Sequence, residues 1–286
     1  MHDKRIAITC LGSSSLLYKC AQAVKEHYGD MVDLTVIDVN YSPMNRKYAV
    51  EFGEVDKYKS KQEIFDWLES VSAPMFLLSI NNPYVIPKNV CDNENLTLIN
   101  LHHALLPKHP GRNAEAWTIY DMDQYGGITW HYITPGIDDG AIILQKKTRI
   151  KDDTTSLKLL RECEALALDS LKEELLPLEN LKKANARKQE NNKERATLAK
   201  DVPNGGRLEL SWEINKISAF LRALDYGAAN VLGRAKITLN DQNYYVRKYK
   251  IENTEDQASS IITQKTPKGE TVIITDNGTL ITLLLN

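Results

Sequence analysis

The sequence predicts an α/β fold: a Rossmann-like, doubly wound domain followed by a small β-rich, OB-like domain. Short apolar strands alternate with amphipathic helices over the first hundred residues, in the order β-α-β-α-β. One strand, at 75–80, is apolar at every position except Ser79, which is typical of a parallel sheet covered on both faces. From about residue 205 the pattern changes to short strands separated by turn residues. We therefore expect a large domain at 1–180, a linker at 181–204 and a small domain at 205–286.

The first elements follow from local patterns. An apolar run at 6–10 predicts a strand, after which Gly12, Ser13 and Ser14 turn the chain into a helix that extends to about residue 27. A second strand is expected at 32–38. Ser60 and Glu63 have the spacing of a capping box at the start of the next helix. Strands at 75–80 and 97–101 complete this half of the sheet.

The later elements include one long helix. Residues 114–120 favour a short helix, and 128–133 and 141–146 favour strands. A cap at 154–156 begins a helix that Pro177 ends. We expect its inward face to consist of leucines: Leu157, Leu160, Leu168, Leu171 and Leu175.

The predicted small domain combines one helix with five strands. The pattern predicts the helix at about 214–224. The strands are expected at 235–239, 244–249, 261–263, 271–275 and 280–285. Turns are expected at 241–243 and 276–278, and the strands would form a partly open barrel.

Charge and cysteine usage narrow the class of protein. The net charge is -2, but residues 1–180 carry -7, residues 181–200 carry +5 and residues 201–286 are neutral. The four cysteines are scattered, with no C-x-x-C pair, so we expect no metal site and a reducing compartment. No signal peptide or apolar run of about 18 residues is found, so a soluble, cytoplasmic protein is expected, with no membrane partner.

Candidate catalytic residues lie beyond the strand at 97–101. Asn100 and His102 are two positions apart and so share one face of that strand, at the edge where open α/β sheets bind ligands. A loop between two later strands adds Asp138. A carboxamide can stabilise an oxyanion, an imidazole can exchange a proton and a carboxylate can orient that imidazole. The trio suits acyl transfer to an amine.

Other interpretations stay open at this point. An Asn-x-His pattern alone is more often structural than catalytic, and Asp139 could serve only the turn before Gly140. A metal site built from His102 and His103 is disfavoured because adjacent strand residues face opposite sides. The Gly12–Ser14 turn could bind an anion or simply cap a helix.

Three motifs occur in order: Asn100-Leu-His102-His-Ala-Leu-Leu-Pro107-Lys-His-Pro110-Gly111, Gly127-Ile-Thr-Trp-His131 and Ile137-Asp138-Asp-Gly140-Ala-Ile-Ile-Leu-Gln145. Together they closely resemble the 10-formyltetrahydrofolate-dependent formyltransferases, over about residues 5–175. Looser similarity at 196–200, 206–212 and 220–224 extends to the small OB-like domain of methionyl-tRNA formyltransferases and several relatives. It disfavours glycinamide ribonucleotide formyltransferase, which lacks that domain.

The resemblance implies roles for numbered residues. The catalytic Asn, His and Asp of the family fall on Asn100, His102 and Asp138, and 10-formyltetrahydrofolate is the implied cosubstrate, with no metal. The implied folate pocket contains Asn82, Pro83, Tyr84, Val85, Thr134 and Ile137. The Asn82-Pro83 dipeptide departs from the family's Gly-x-x-x-Ile/Leu pattern. We assign acceptor binding to Gly12, Ser13, Ser14, Arg112 and Asn113.

The distribution of charge along the chain helps to choose between the possible amine acceptors. A tRNA-binding protein should present a strongly basic surface, yet only 181–200 is basic, and 39–61 lacks the basic insertion of the tRNA enzyme. We therefore favour a small amine, such as a nucleotide-linked amino sugar or an aminoacyl intermediate, over methionyl-tRNA. A 10-formyltetrahydrofolate hydrolase is the alternative of another class, and a non-catalytic folate binder is disfavoured by the trio. A homodimer is left open.

Overall fold

The computed structural model describes residues 5–40, 46–190, 194–266 and 269–286. The chain separates into two compact units, each made of several stretches of sequence. The first contains 1–111, 127–148 and 162–196, and the second contains 112–126, 149–161 and 197–286. These stretches cross the expected limits 1–180, 181–204 and 205–286, which stay a prediction.

A six-stranded mixed sheet forms the centre of the α/β region. Its strands are β1 (Ile6–Gly12), β2 (Val32–Asp38), β3 (Met75–Ile80), β4 (Leu96–His102), β5 (Tyr125–Tyr132) and β6 (Ile142–Arg149). They lie in the order β2-β1-β3-β4-β5-β6. The first four pair in parallel, whereas β5 is antiparallel to β4. The Rossmann-like α/β prediction is therefore confirmed, with an antiparallel extension at one side.

The helices have the bounds α1 (Ser14–Tyr28), α2 (Arg46–Ala49), α3 (Lys61–Glu69), α4 (Lys88–Cys91), α5 (Ala114–Tyr120) and α6 (Ser156–Ser170), the last continued by a π-helical turn at Leu171–Leu175. At the start of α3, the Ser60 hydroxyl accepts the Glu63 backbone N–H at 3.2 Å, as the capping-box spacing predicts. No helix in the described ranges combines the length and apolar composition needed to cross a bilayer.

The inward face of α6 differs from the prediction. Leu157, Leu160 and Leu168 are only half-buried, whereas Leu171 and Leu175 are buried as expected. The side chains that complete the buried stripe are spaced by four: Leu159, Cys163 and Ala167. The prediction left out Leu159 and the two small side chains, although the three share a helical spacing that forms a buried face.

The core of the first unit surrounds the parallel strands. Leu11, Leu77 and Leu98 come from β1, β3 and β4 and are buried together with residues of α3. Continuous apolar strands are buried on both faces of a parallel sheet, which explains their composition. The carboxyl ends of β1, β3 and β4 therefore meet at one edge, where the chain can place polar side chains.

The second unit contains α5, α7 (Ile214–Ala223) and a five-stranded antiparallel sheet. The strands are β7 (Lys236–Leu239), β8 (Gln242–Asn253), β9 (Ser260–Thr266), β10 (Gly269–Asp276) and β11 (Thr279–Leu285), in the order β7-β8-β11-β10-β9. The pairings between described residues form an open sheet, so OB-like closure stays a prediction. The β7–β8 turn uses Asn240 and Asp241, both with positive φ, rather than 241–243.

Candidate active site

Three neighbouring strands bring three polar side chains into register at the carboxyl edge of β3 and β4. Asn100 on β4 lies opposite Ser79 on β3 and opposite His131 on β5. The Ser79 hydroxyl donates to Asn100 Oδ1 at 2.8 Å, and Asn100 Nδ2 lies 3.1 Å from His131 Nε2. The strand ladder therefore fixes the position of the Asn100 amide.

The hydrogen bonds also fix the orientation of that amide. Because His131 Nδ1 lies 2.9 Å from the Tyr132 carbonyl, it carries the proton, and Nε2 can accept one N–H of Asn100. The second N–H of Asn100 faces Asp138 Oδ1 at 3.4 Å, beyond the usual range of a strong hydrogen bond. This donor is available to an oxyanion that develops beside it.

Asp138 reaches the same place from the loop between β5 and β6. Its Oδ2 accepts the Gly111 backbone N–H at 2.8 Å and lies 3.4 Å from His102 Nδ1. Its Oδ1 lies 3.4 Å from His131 Nε2. The loop is closed at Gly140, where a Cβ would lie 1.7 Å from the Tyr132 carbonyl oxygen, so only glycine fits.

His102 is buried, and each of its ring nitrogens faces a defined group. Nε2 lies 2.8 Å from the His109 carbonyl oxygen, which can only accept, so Nε2 carries a proton and donates. Nδ1 then faces the Asp138 carboxylate. Burial lowers the pKa of His102, although Asp138 and the His109 carbonyl oppose that shift. A proton taken up at Nδ1 would be held between the ring and the carboxylate.

Asp138 is ionised in this arrangement. Burial alone would raise its pKa, but the positive charges of His102 and His131, when these rings are protonated, and the Gly111 N–H favour the carboxylate and bring the pKa well below its usual value. The site thus joins a fixed carboxylate, a proton-accepting imidazole and an oriented carboxamide donor. Asp139 is directed elsewhere, to the hydroxyl of Thr134. Asp138, rather than Asp139, is therefore the carboxylate that lies beside His102 and Asn100.

The residues expected to bind folate also belong to the first unit. Asn82 Oδ1 accepts the Tyr84 backbone N–H at 3.0 Å, whereas its buried Nδ2 has no hydrogen-bond partner among the described residues. Pro83 is half-buried, and Val85 and Ile137 expose large apolar surface. Their contacts with a ligand, and that of Thr134, stay predictions.

The expected acceptor residues are divided between the units. In the first, the Ser13 hydroxyl donates to the Asn81 carbonyl, and Asn81 Nδ2 donates to the Ser14 hydroxyl, both at 2.9 Å. Ser13 makes no side-chain cap to α1, so these hydroxyls connect the ends of β1 and β3 instead. Arg112 and Asn113 belong to the second unit, where the Arg112 N–H donates to the Thr197 carbonyl at 2.9 Å. Acceptor binding by these residues stays a prediction.

Sequence reasoning missed Ser79, Gly111 and His131 as parts of the cluster. A signal for His131 was present, since four of the six histidines fall within 102–131 and one closes the second motif. Ser79 could have been found from its place near the end of the strand beside Asn100. Gly111 contributes a backbone N–H, and because every residue except proline has one, the sequence cannot show which of them is used. Among the described residues, no group of three His, Cys, Asp or Glu side chains could hold a metal ion.

Comparisons with known proteins address this region directly. The model of the family described as formyl transferase matches residues 4–176. The chain is 28% identical over 151 residues to GDP-perosamine N-formyltransferase of Brucella melitensis, covering 53% of this chain and 57% of that protein. It is 28% identical over 141 residues to methionyl-tRNA formyltransferase of Ruminiclostridium cellulolyticum, covering 49% and 45%. The chain thus spans about half the length of these curated relatives.

Solved structures with the same fold extend over the whole chain. The N-formyltransferase of Helicobacter canadensis, in complex with folinic acid and dTDP-3-aminofucose, has a TM-score of 0.75 at 16% identity and covers 99% of this chain and 100% of its own. A sugar 3N-formyl transferase, WlaRD, in the presence of dTDP and 5-N-formyl-THF, has a TM-score of 0.73 at 18% identity, covering 100% and 98%. At these identities the likeness shows a shared fold.

Proposed function

The chain belongs to the formyl transferase family, and from that premise we propose that it is an N-formyltransferase that moves the formyl group of 10-formyltetrahydrofolate to the amine of a small acceptor. One observation carries the proposal. Asn100, His102 and Asp138, from a strand and a separate loop, converge with contacts of 3.4 Å around Asp138. Structural roles alone would not require an amide, an imidazole and a carboxylate to meet at the edge of the sheet.

The reaction forms one C–N bond and breaks another. The neutral amine attacks the formyl carbon, and the carbonyl oxygen gains negative charge. Asn100 Nδ2–H donates to this oxygen, where a preorganised donor typically lowers the barrier by about 3–4 kcal/mol. The bond between the formyl carbon and N10 of the folate then breaks. The acceptor leaves as a formamide, and tetrahydrofolate carries a proton on N10.

His102 and Asp138 handle the proton that this exchange requires. The attacking nitrogen must lose one proton, and N10 must gain one. Because His102 Nε2 is committed to the His109 carbonyl, Nδ1 accepts the proton, and Asp138 stabilises the imidazolium that results. The same proton then passes to N10, so His102 returns to its neutral form.

The donor assignment is supported by the segment that follows β3. The buried Nδ2 of Asn82 has no partner among the described residues, and such a donor costs free energy unless a ligand accepts from it. A pterin offers ring nitrogens and a carbonyl oxygen. We propose that 81–87 and 134–138 bind it, with Tyr84, whose ring packs edge-on against Phe65, shaping the wall.

For the acceptor, we propose a nucleotide-linked amino sugar. The fold is shared with N-formyltransferases whose structures contain dTDP-3-aminofucose or dTDP, over nearly the whole of both chains. The neutral charge of 201–286 weighs against tRNA, which demands a strongly basic surface. Methionyl-tRNA remains the second candidate, because one such enzyme is 28% identical to this chain over 141 residues. A hydrolase would use the same trio with water as the acceptor.

The deciding experiment is a screen of amine acceptors with a folate readout. Purified protein is mixed with 10-formyltetrahydrofolate and with panels of nucleotide-linked amino sugars, aminoacyl compounds or methionyl-tRNA. We expect tetrahydrofolate to form only when an amino sugar nucleotide is present. Rapid formation without any amine would instead establish a hydrolase. Formation with methionyl-tRNA alone, steeply weakened by salt, would identify the tRNA enzyme.

A further inference from the structure

A polar segment that follows the long helix contacts both loops of the candidate site. We define the strap as residues 186–190 together with Glu194. Arg187 forms a two-way backbone bridge with Ile142, the first residue of β6, with both N–H···O distances 2.8 Å. This bridge places the strap beside the loop that carries Asp138.

Gln189 holds that loop by its backbone. Its side-chain Nε2 donates to the Asp138 carbonyl at 2.7 Å and to the Gly140 carbonyl at 2.8 Å, which uses both amide hydrogens. Asp138 has a φ of 52°, in the left-handed region that a residue with a Cβ rarely adopts. Such a conformation costs free energy and persists only where surrounding contacts enforce it. Gln189 supplies two of those contacts.

Glu194 holds the backbone of His109, the residue that contacts the other ring nitrogen of His102. Its Oε2 accepts the His109 backbone N–H at 2.8 Å. His109 is also left-handed, with a φ of 53°, and its carbonyl oxygen is the one that binds His102 Nε2. Both groups that orient the His102 ring therefore belong to left-handed residues other than glycine, and the strap contacts each of them.

We propose that Gln189 and Glu194 are positioning residues: they hold Asp138 and His109 in the backbone conformations that orient His102. The inference rests on the proposed function, since it concerns the same site. It predicts that losing these contacts slows the chemical step while leaving the binding of both substrates nearly unchanged. A displacement of about 1 Å at reacting groups can cost roughly a hundredfold in rate.

The first test replaces the donor of Gln189 without adding charge. We expect Q189L to lower kcat by roughly 10- to 100-fold, with each KM within about twofold of the unaltered protein. The matched control is K188L, which introduces the same side chain at the neighbouring exposed position and should keep kcat within about twofold. Added to D138N, Q189L should have little further effect, because contacts that act through one residue are not additive.

The second test keeps or removes a hydrogen-bond acceptor at Glu194. E194Q keeps an oxygen that can accept the His109 N–H, whereas E194L removes it. We expect E194L to lower kcat by roughly tenfold and E194Q to restore most of that loss. If the contact were purely structural, the loss of kcat in E194L would be accompanied by a matching fall in melting temperature.

A readout independent of turnover separates this inference from the proposed function. The His102 ring is titrated by NMR in the unaltered protein, Q189L and K188L. Because the Asp138 carboxylate raises the pKa of His102, its displacement in Q189L should move the titration to lower pH, and K188L should not. If the His102 ring titrated at the same pH in Q189L as in K188L, the proposed role of the strap would be overturned. Absence of formyl transfer in the unaltered protein would overturn only the proposed function.

Discussion

The two halves of the candidate site are held in place by different means. Asn100 and His102 lie on β4, where ladder pairing and strand alternation set their positions. Asp138 and His109 lie on loops in left-handed conformations, where side chains from a distant part of the sequence hold them. The backbone pairing of the sheet is therefore enough to orient the strand residues, whereas the loop residues need side-chain hydrogen bonds from another segment to keep their conformation.

The largest expected effect is at the strand half of the site. We expect His102→Ala to lower kcat by roughly 10³-fold, because no other group then accepts the proton of the amine. The rate of tetrahydrofolate formation at saturating substrates measures it. His27→Ala, the same substitution at an exposed position on α1, is the control and should retain full activity. Near-normal turnover by the His102 variant would remove it from the mechanism.

A smaller loss of kcat is expected when the Asn100 carboxamide is kept but the hydroxyl that holds it is removed. Ser79→Ala deletes the hydroxyl that donates to Asn100 Oδ1, so the amide can rotate away from the productive orientation. We expect kcat to fall by roughly tenfold, as for the loss of one hydrogen bond. By contrast, Asn100→Ala should cost roughly 10²-fold. If the two variants lost equal activity, Ser79 would have a role beyond orientation.

The pH dependence of kcat tests the coupling between strand and loop. Neutral His102 must accept a proton, so activity falls as the pH drops through the pKa of His102, which burial brings below 6.5. Asp138 raises that pKa, so Asp138→Asn should move the acidic limb to still lower pH while lowering the plateau. An acidic limb above pH 6.5 in the unaltered protein would contradict this assignment.

The smallest effect is expected far from the site. Ser60→Ala removes the cap of α3, which should lower the free energy of unfolding by about 1 kcal/mol without changing kcat. Denaturant unfolding and turnover, measured on the same preparation, check both parts. A large loss of activity would show that α3 is coupled to the site.

The strands, and half of the site, could be predicted because they depend on local pattern. Apolar runs gave β2 and β3 with their observed bounds, and a two-residue period placed Asn100 and His102 on one face. Resemblance of motifs, rather than periodicity, selected Asp138. The buried face of the long helix was predicted only in part, because Leu159, Cys163 and Ala167 were left out of it.

The supporting contacts could not be predicted from local sequence. Gln189 lies 51 residues after Asp138, and Glu194 lies 85 residues after His109. Gly111 acts through its backbone, and although aspartate is enriched at positive φ, residue type alone does not show which aspartate adopts it. These contacts depend on tertiary structure, which brings distant segments together after the strands have paired.

The central claim is that a carboxamide, an imidazole and a carboxylate act together on one formyl carbon. The most direct measurement follows an isotope label from the formyl group of 10-formyltetrahydrofolate in a single turnover, with an amino sugar nucleotide as acceptor. We predict that the unaltered protein places the label in the formamide at least roughly 10²-fold faster than Asp138→Asn. Equal rates for the two proteins, or label released as formate, would contradict the account.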